Sequence, residues 1–347
     1  MRVDESSSQP EAMVGWVLGI ESTAHTLSFG AVHSDGTALP AAIDTIKPTE
    51  GGIHPREAAD HHRDVASTLL TTLMEMHDLE LTGLQAVAYS QGPGMGPCLQ
   101  VGAGIARALS AAHEIPLIGV NHCVAHIEIG RSECDCDDPV LLYVSGGNTQ
   151  VITRLDGRYR VLGETLDIGI GNMLDKFARK FGHPFPGGPV IERHARSYLE
   201  ANPDASLEGL ELPYAVRGMD MAFSGIMTAA VAMVHRGVPF GAVCWSLQEH
   251  AFAACVEVAE RAMAHAGKSE LLLGGGVACN QRLRDMCSIM AEERDGESHA
   301  PPRMYCIDNG TMIAQLGWLE WSSGRTTSLA ESAVNPGLRT DATPIAW

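Results

Sequence analysis

The chain has 347 residues, of which 45% are hydrophobic, and its formal net charge is −18. That length suits about two domains with sizeable cores, and no apolar run is long enough to cross a membrane as a helix. The acidity argues against a protein that binds nucleic acid strongly by itself, because phosphate contacts favour basic surfaces. If this chain acts on RNA, partner proteins should supply the basic surface.

The first segment, residues 1–13, is polar and acidic and lacks the basic and apolar regions of a secretory signal. We predict a flexible tail there. The nine cysteines form no CxxC pair, and several lie in apolar segments. This pattern favours reduced thiols and a cytoplasmic location over a disulfide framework.

Two strand–turn–strand patterns, at 17–32 and 141–155, indicate a duplicated α/β domain. In each, a β-rich run enters a turn of Ser, Thr, Gly or Asn and returns as a second run. Strands and helices alternate after both patterns, as in proteins whose helices cover a sheet. Further strands are predicted at 86–90, 117–120, 271–273 and 305–307, and helices at 99–112, 122–129, 240–266, from about 280, and 310–321.

The acidic loop near 135–139 is the candidate boundary between the two halves. We predict a first lobe at 14–138 and a second lobe at 139–322. The remaining segment, 323–347, is expected to pack back on the first lobe.

His122 and His126 are the strongest candidates for a functional site. They are spaced i, i+4, which places both imidazoles on one face of a helix and suits a shared metal ion. The zinc-protease helix has the same spacing but a Glu directly after its first His, where this chain has Cys123. Two buried histidines bonded to backbone carbonyls are the alternative.

Asp308 precedes a predicted helix, so it is either an N-cap or a third metal ligand. Two histidines and one carboxylate with open positions suit iron(II) or catalytic zinc(II).

Several glycine-rich turns could hold a nucleotide. Ser145-Gly146-Gly147-Asn148 is either a plain hairpin turn or a phosphate cradle made of backbone N–H groups. The loop 274–276, with Asn280 after it, either packs a strand closely on a helix or admits a nucleotide.

Some single side chains are equally ambiguous. Glu192 and Asp175 could bind ribose hydroxyls, although a surface ion pair on a helix is the alternative for Asp175. Glu21 stands where an Asp would suit the phosphate–metal site of a kinase or ATPase, and turn chemistry is the alternative for this longer side chain. His61 and His62, on a predicted helix, could help line the cleft, although surface positions are favoured.

Taken together, these segments resemble the universal tRNA threonylcarbamoyltransferase family in its archaeal and eukaryotic branch, the catalytic subunit of the KEOPS complex. The resemblance covers roughly 14–339, and its motifs follow one another in order. They are GIESTAHT at 19–26, GPGMGP at 92–97, VNHCVAHIEIG at 120–130, YVSGGNTQ at 143–150, ETLDIGIGNMLDK at 164–176, FSG at 223–225, LGGGVACN at 273–280 and DNG at 308–310.

The resemblance implies the duplicated fold of actin, sugar kinases and Hsp70, with two lobes around a nucleotide cleft. It implies one divalent metal ion per subunit, iron(II) in preference to zinc(II), held by His122, His126 and Asp308 with Tyr143 close by. It also implies threonylcarbamoyl-AMP or an ATP-type nucleotide in the cleft. The residues that would hold it are Tyr143, Val144, Ser145, Gly146, Gly147 and Asn148 around the phosphate, and Asp175, Gly188, Glu192 and Asn280 around the adenosine.

The implied reaction transfers a threonylcarbamoyl group to N6 of the adenosine on the 3′ side of the anticodon, in tRNAs that read codons starting with A. The implied partners are tRNA, the KEOPS kinase subunit and the small KEOPS subunits, with no membrane. No residue is identified as a general base. The alternatives are a metalloprotease, an ATPase or carbamoyl-type transferase of the same fold acting on another substrate, and a noncatalytic scaffold.

Overall fold

The computed structural model describes residues 15–47 and 52–347, so the predicted tail at 1–13 lies outside the described part. The strands are β1 Trp16–Glu21, β2 Thr26–His33, β3 Ala38–Thr45, β4 Leu84–Gly92, β5 Leu117–Asn121, β6 Val140–Val144, β7 Thr149–Leu155, β8 Arg158–Glu164, β9 Val216–Arg217, β10 Asp220–Met221, β11 Glu270–Gly274 and β12 Glu297–His299. The α-helices are α1 Pro55–His77, α2 Gly96–His113, α3 His122–Cys134, α4 Ile170–Lys180, α5 Gly187–Ala201, α6 Ser224–His235, α7 Phe240–Ala266, α8 Gln281–Glu292, α9 Arg303–Cys306 and α10 Gly310–Ser322.

Two five-stranded sheets share one topology. The first has the order β3-β2-β1-β4-β5 and the second the order β8-β7-β6-β11-β12. In both, the first three strands form an antiparallel meander and the last two are added in parallel. The duplicated α/β architecture predicted from the two strand–turn–strand patterns is therefore confirmed.

The central strands are buried on both faces, which explains their continuous apolar sequences. All six residues of β1 and all five of β6 are buried. Helices cover both faces of each sheet, as expected for strands that do not alternate between apolar and polar residues.

Helices α3 and α10 lie between the two sheets and join their cores. One continuous cluster includes Val17 and Ile118 from the first sheet, Leu141 and Leu272 from the second, and Ile313 of α10. The last helix of the chain thus packs on the first sheet. This arrangement brings the N-terminal ends of α3 and α10 into the space between the lobes.

Three glycines allow α10 to lie directly on β1 and β2. A Cβ atom on Gly30 would lie 2.0 Å from the backbone nitrogen of Thr311, and one on Gly19 would lie 2.1 Å from the carbonyl oxygen of Gly310. A Cβ on Gly310 would in turn meet the backbone of Gly30 at 2.3 Å. The backbone of α10 therefore contacts the backbones of β1 and β2 directly at these glycines. This close packing positions the start of α10 and, just before it, Asp308.

The C-terminal segment runs back along the first sheet. The N–H of Thr327 donates to Leu117 at 2.7 Å, and the N–H of Asn335 donates to Gln91 at 2.8 Å. The segment also forms a bridge from Pro344 to Arg158 at the end of the second sheet. The lobe boundaries at 14–138, 139–322 and 323–347 remain a prediction.

One predicted strand is wrong. Residues 305–307 were expected to be extended, but Tyr305 and Cys306 belong to the short helix α9, and the last strand of the second sheet is β12. The sequence of β12, Glu-Ser-His, is polar because this three-residue strand lies at the sheet edge and is only partly buried. It therefore lacks the apolar pattern that identifies a central strand. Within the described ranges, none of the helices combines the length and hydrophobicity that crossing a membrane requires.

Candidate metal and nucleotide site

Two histidines enter the site from the first turn of α3. Asn121 ends β5 and caps the helix, because its side chain accepts hydrogen bonds from the N–H groups of Cys123 and Val124 at 2.9 and 3.2 Å. The helix therefore begins at His122, and His126 follows one turn later. Both side chains are almost fully buried, and their ring centroids are 4.9 Å apart.

Asp308 completes a set of three converging ligand atoms. Its Oδ1 lies 3.2 Å from Nε2 of His126 and 3.5 Å from Nε2 of His122. The three candidate donor atoms lie within 4.8 Å of one another. The Tyr143 hydroxyl, at the end of β6, is 3.1 Å from Nε2 of His122. The structure thus brings together all four residues that the sequence assigned to a metal.

Glu21 contacts His122 on the ring nitrogen that faces away from the other ligands. This role was not predicted from the sequence. Its fully buried Oε2 lies 2.9 Å from Nδ1 of His122 and accepts a hydrogen bond from the Ser90 hydroxyl at 2.7 Å. Its Oε1 accepts from the N–H of Thr23 at 2.7 Å and also from the Thr23 hydroxyl. A carboxylate on the second nitrogen of a histidine fixes the tautomer and turns Nε2 towards the site. The only signal in the sequence was an acidic residue at the end of a buried strand.

The charges of the candidate ligands shift one another's pKa values. Burial disfavours a charged imidazole at His122, but the carboxylates of Glu21 and Asp308 outweigh it and raise the pKa of His122 to about 9. Burial lowers the pKa of His126, and the hydrogen bond to Asp308 offsets that effect only in part. Burial alone would raise the pKa of Asp308, but the two histidines outweigh it and hold that pKa well below its usual range.

The donor set fits a divalent transition metal. Two imidazole nitrogens and one carboxylate oxygen converge, Glu21 orients one imidazole, and the Asp308 side chain is 22% exposed, so the set opens towards the cleft. Nε2 of His126 is the nitrogen that faces this set, and Nδ1 on the other side of the ring is buried with no hydrogen-bond partner among the described residues.

The glycine turn lies next to this set. Tyr143 and Val144 end β6, Ser145 to Asn148 form the turn, and the turn is closed by a hydrogen bond from the Ser145 N–H to the Asn148 carbonyl at 2.8 Å. Gly146 and Gly147 are exposed, whereas Val144 is buried. The start of α4 is bonded to the back of the turn, since the N–H of Gly171 donates to Ser145 and that of Asn172 donates to Gly146.

The loop 274–276 packs against the same strand end. A Cβ on Gly275, which has a φ of +89°, would lie 2.4 Å from the Val144 carbonyl oxygen. The loop leads to Asn280, a buried N-cap that accepts from the N–H of Leu283 and donates to Gln248 at 2.8 Å. The sequence interpretation of a strand, a glycine loop and a helix is confirmed.

Asp175, Gly188 and Glu192 lie around the start of α5. Asp175 Oδ1 accepts a hydrogen bond from the N–H of Gly187 at 2.6 Å, an interaction that the sequence did not suggest. Burial raises the pKa of Asp175, although the N–H groups of Gly187 and Gly188 oppose that effect. Glu192 accepts from the N–H of Gln281 at 3.1 Å and lines a cavity of about 420 Å³. Helices α5 and α8 therefore meet beside Glu192.

The predicted surface position of His62 is wrong. This histidine on α1 is fully buried and its Nε2 bonds the carbonyl oxygen of Ala24 at 3.1 Å. It faces inwards because α1 packs across β2 and β3, a tertiary contact that the sequence pattern did not reveal.

These observations define a duplicated actin-like α/β protein with a two-histidine, one-carboxylate centre beside a glycine turn. Among solved structures, a HypF from T. kodakarensis is similar with a TM-score of 0.60 and 15% identity, covering 90% of this chain and 48% of that chain. The component A of (R)-2-hydroxyglutaryl-CoA dehydratase from Acidaminococcus fermentans has a TM-score of 0.55 and 10% identity, with 89% and 99% covered. Likeness at this level of identity concerns the fold alone.

The model of the tRNA N6-adenosine threonylcarbamoyltransferase family matches residues 40–315, and the chain belongs to that family. A Methanosarcina mazei protein named "Probable bifunctional tRNA threonylcarbamoyladenosine biosynthesis protein" is 50% identical over 335 residues, 96% of this chain and 59% of its own length. A Thermoplasma volcanium protein of the same name is 48% identical, with 95% and 61% covered. The chain thus spans about three fifths of the length of these relatives.

Proposed function

We propose that this chain transfers the threonylcarbamoyl group of threonylcarbamoyl-AMP to N6 of the adenosine on the 3′ side of the anticodon, in tRNAs that read codons starting with A. The observation that carries the proposal is the convergence of His122, His126 and Asp308 directly beside an exposed glycine turn. A cation site and a phosphate-type cradle in one cleft suit a donor that is an acyl phosphate anhydride. Family membership supports the same reaction.

The metal ligands in this proposal are His122, His126 and Asp308, with Tyr143 close enough to join them. Two imidazoles and a carboxylate with open positions suit iron(II) or zinc(II), and we propose iron(II) in preference because of the family resemblance. A cation held by these residues would supply Lewis-acid chemistry, which would stabilise negative charge that develops on the oxygens of the donor. Glu21 keeps the His122 ring oriented for this purpose.

The nucleotide part of the donor would lie along the glycine turn and the start of α5. The N–H groups of Gly146 and Gly147 would face the phosphate without interference from a Cβ, whereas Val144, Ser145 and Asn148 would shape the turn around it, since the N–H groups of Ser145 and Asn148 are bonded within the turn. Asp175, Gly188, Glu192 and Asn280 would surround the adenosine. AMP is a good leaving group, so much of the rate enhancement would come from positioning the weakly nucleophilic amine.

Direct transfer without a covalent enzyme intermediate is the mechanism we favour. Cys123 is the thiol nearest the histidines in sequence, but burial raises its pKa to about 12, which keeps it protonated. The same residue stands where a protease would carry its general base. Glu21 is no free base either, because its carboxylate is already shared by Thr23, Ser90 and His122.

The partners in this proposal are tRNA, the KEOPS kinase subunit and the small KEOPS subunits, and the protein would act in the cytoplasm. A chain with a net charge of −18 has little general attraction for RNA. Basic partner surfaces would therefore orient the tRNA. We expect this chain alone to bind tRNA weakly and with no strong salt dependence.

The test is transfer from preformed threonylcarbamoyl-AMP to unmodified tRNA, with partner subunits and metal added. We expect wild type to be active and His126→Ala to lose at least a hundred-fold in rate, roughly what loss of a positioned electrostatic group costs. His265→Ala is the matched control, because His265 is exposed near the end of α7. No transfer by metal-loaded wild type with its partners would favour an ATPase or a scaffold instead.

A further inference from the structure

The turn between β1 and β2 carries a histidine that the site described so far does not use. His25 follows Glu21 by four residues, so a single turn carries both the carboxylate behind His122 and this imidazole. The carbonyl oxygen of His25 accepts from the N–H of Ile46 at 3.0 Å, and that of Ala24 is bonded to the buried His62. The backbone on both sides of the side chain is therefore held in place.

The imidazole of His25 faces the opposite lobe. Its ring meets the edge of Phe185, in the loop between α4 and α5, with centroids 5.6 Å apart and planes at 84°. It lies within electrostatic range of Asp308 and Asp175, since its charge counts among the influences on both carboxyl groups. His25 thus contacts the loop that leads into α5 and lies in the neighbourhood of Asp308 and Asp175.

His25 is also the histidine of this region whose side chain no described protein group engages by hydrogen bonding. Nitrogens of His122, His126 and His62 contact protein oxygens, whereas no hydrogen bond is formed by the His25 ring. Its Nδ1 is buried without a partner, and an unpaired buried polar atom is costly. Nε2 also has no partner among the described residues but is not buried in this way, so this nitrogen is open to a bound substrate.

We propose that His25 is the general base of the transfer, an inference that rests on the function proposed above. The N6 nitrogen forms a bond to the carbamoyl carbon, the bond from that carbon to the phosphate oxygen breaks, and its electron pair leaves on AMP. The proton lost by N6 goes to Nε2 of His25, the less buried ring nitrogen. Nδ1 keeps its own hydrogen, and this tautomer leaves the lone pair of Nε2 free to accept the proton.

The surroundings suit that task. The titratable groups that face His25 are Asp308 and Asp175, which are carboxylates, and His62, which is buried between α1 and the turn. The two carboxylates attract the positive charge that His25 acquires. Burial, with His61 nearby, lowers the pKa of His62 to about 4, so His62 stays neutral and does not compete for the proton.

The test compares His25→Gln with wild type in single-turnover transfer at saturating donor and tRNA, with partners and metal present. A positioned general base contributes about 10²–10⁴-fold, so we expect the rate to fall by at least a hundred-fold. Apparent affinities for donor and tRNA should change less than about three-fold, and metal content should not change. The matched control is His113→Gln, an exposed histidine in the last turn of α2.

Two further readouts separate a base from a structural residue. The wild-type rate should rise with pH and then level off, and His25→Gln should lose that inflection. Added imidazole should partly restore His25→Ala, and His25→Asn serves if either variant fails to fold. A His25→Gln enzyme with the wild-type rate and pH profile, or one impaired only in donor affinity, would overturn the assignment. Inactivity of wild type would instead contradict the proposed function.

Discussion

Replacing Glu21 by Gln tests whether the carboxylate behind His122 organises the metal site. The change keeps the size of the side chain and removes one acceptor oxygen and the charge. Glu21 accepts hydrogen bonds from Thr23, Ser90 and His122, so every neighbour of its two oxygens is a donor. A Gln side chain can accept with one end only, and its NH₂ group then faces donors.

The magnitude follows from this mismatch. Hydrogen bonds to a charged acceptor contribute about 1.5–3 kcal/mol each, and Glu21 is fully buried, so solvent cannot replace them. We expect Glu21→Gln to lower the free energy of unfolding by about 3 kcal/mol. Loss of an outer-shell carboxylate also weakens metal binding by about 10–100-fold, because the His122 ring is no longer held in one tautomer.

The assay is a metal titration against a competing chelator, together with urea unfolding of the metal-free protein. Glu208→Gln is the control, since Glu208 is exposed and far in sequence from the site. If Glu21→Gln bound metal as tightly as wild type, the orienting role would be wrong. If Glu21→Gln unfolded at the same urea concentration as wild type, the expected loss of about 3 kcal/mol from the hydrogen bonds of Glu21 would be wrong as well.

Three further changes test other parts of the structure. Gly30→Ala places a Cβ 2.0 Å from the Thr311 nitrogen, so α10 must shift. We expect this variant to lose about 3 kcal/mol of unfolding free energy and to bind metal more weakly. Gly104→Ala, in open space on α2, is the control and should be neutral or slightly stabilising in urea unfolding. Burial raises the pKa of Glu320 to about 7 from its usual 4.5, so ionisation of Glu320 destabilises the fold as the pH rises from 4.5 to 7. Glu320→Gln should therefore raise the free energy of unfolding by about 3 kcal/mol at pH 8 and leave it unchanged at pH 4. Equal effects at both pH values would contradict this reasoning. Asp175→Ala removes the acceptor for the Gly187 N–H and should lower the free energy of unfolding, measured without nucleotide, by about 1 kcal/mol. A loss of donor affinity in the more conservative Asp175→Asn would show that Asp175 also binds substrate.

The sequence predicted those features that depend on local patterns. The two strand–turn–strand patterns revealed the duplication because buried central strands and their glycine turns are local signals. The i, i+4 spacing placed His122 and His126 on one helix face, and the residues before 310 indicated the start of the last helix. Each of these predictions needed only short stretches of chain and a known helical or strand period.

The sequence could not reveal features created by packing between distant segments. Glu21 looked like turn chemistry because its partners, Ser90 and His122, are 69 and 101 residues away. His62 looked exposed because α1 shows no sign of which face meets β2. The strand β12 was missed because it is short, polar and identified only by pairing with β11.

The duplication also explains how one cleft combines two kinds of chemistry. The turn after β1 and the turn after β6 are equivalent, since both connect the first two strands of sheets with the same topology. The first turn and the end of the strand before it carry ionisable side chains, His25 and Glu21, whereas the second turn carries the exposed Gly146 and Gly147. Side chains can orient ligands and move protons, and bare backbone N–H groups can contact an anion closely. In the proposed reaction the first lobe would therefore act on the metal and the attacking amine, and the second would hold the leaving phosphate.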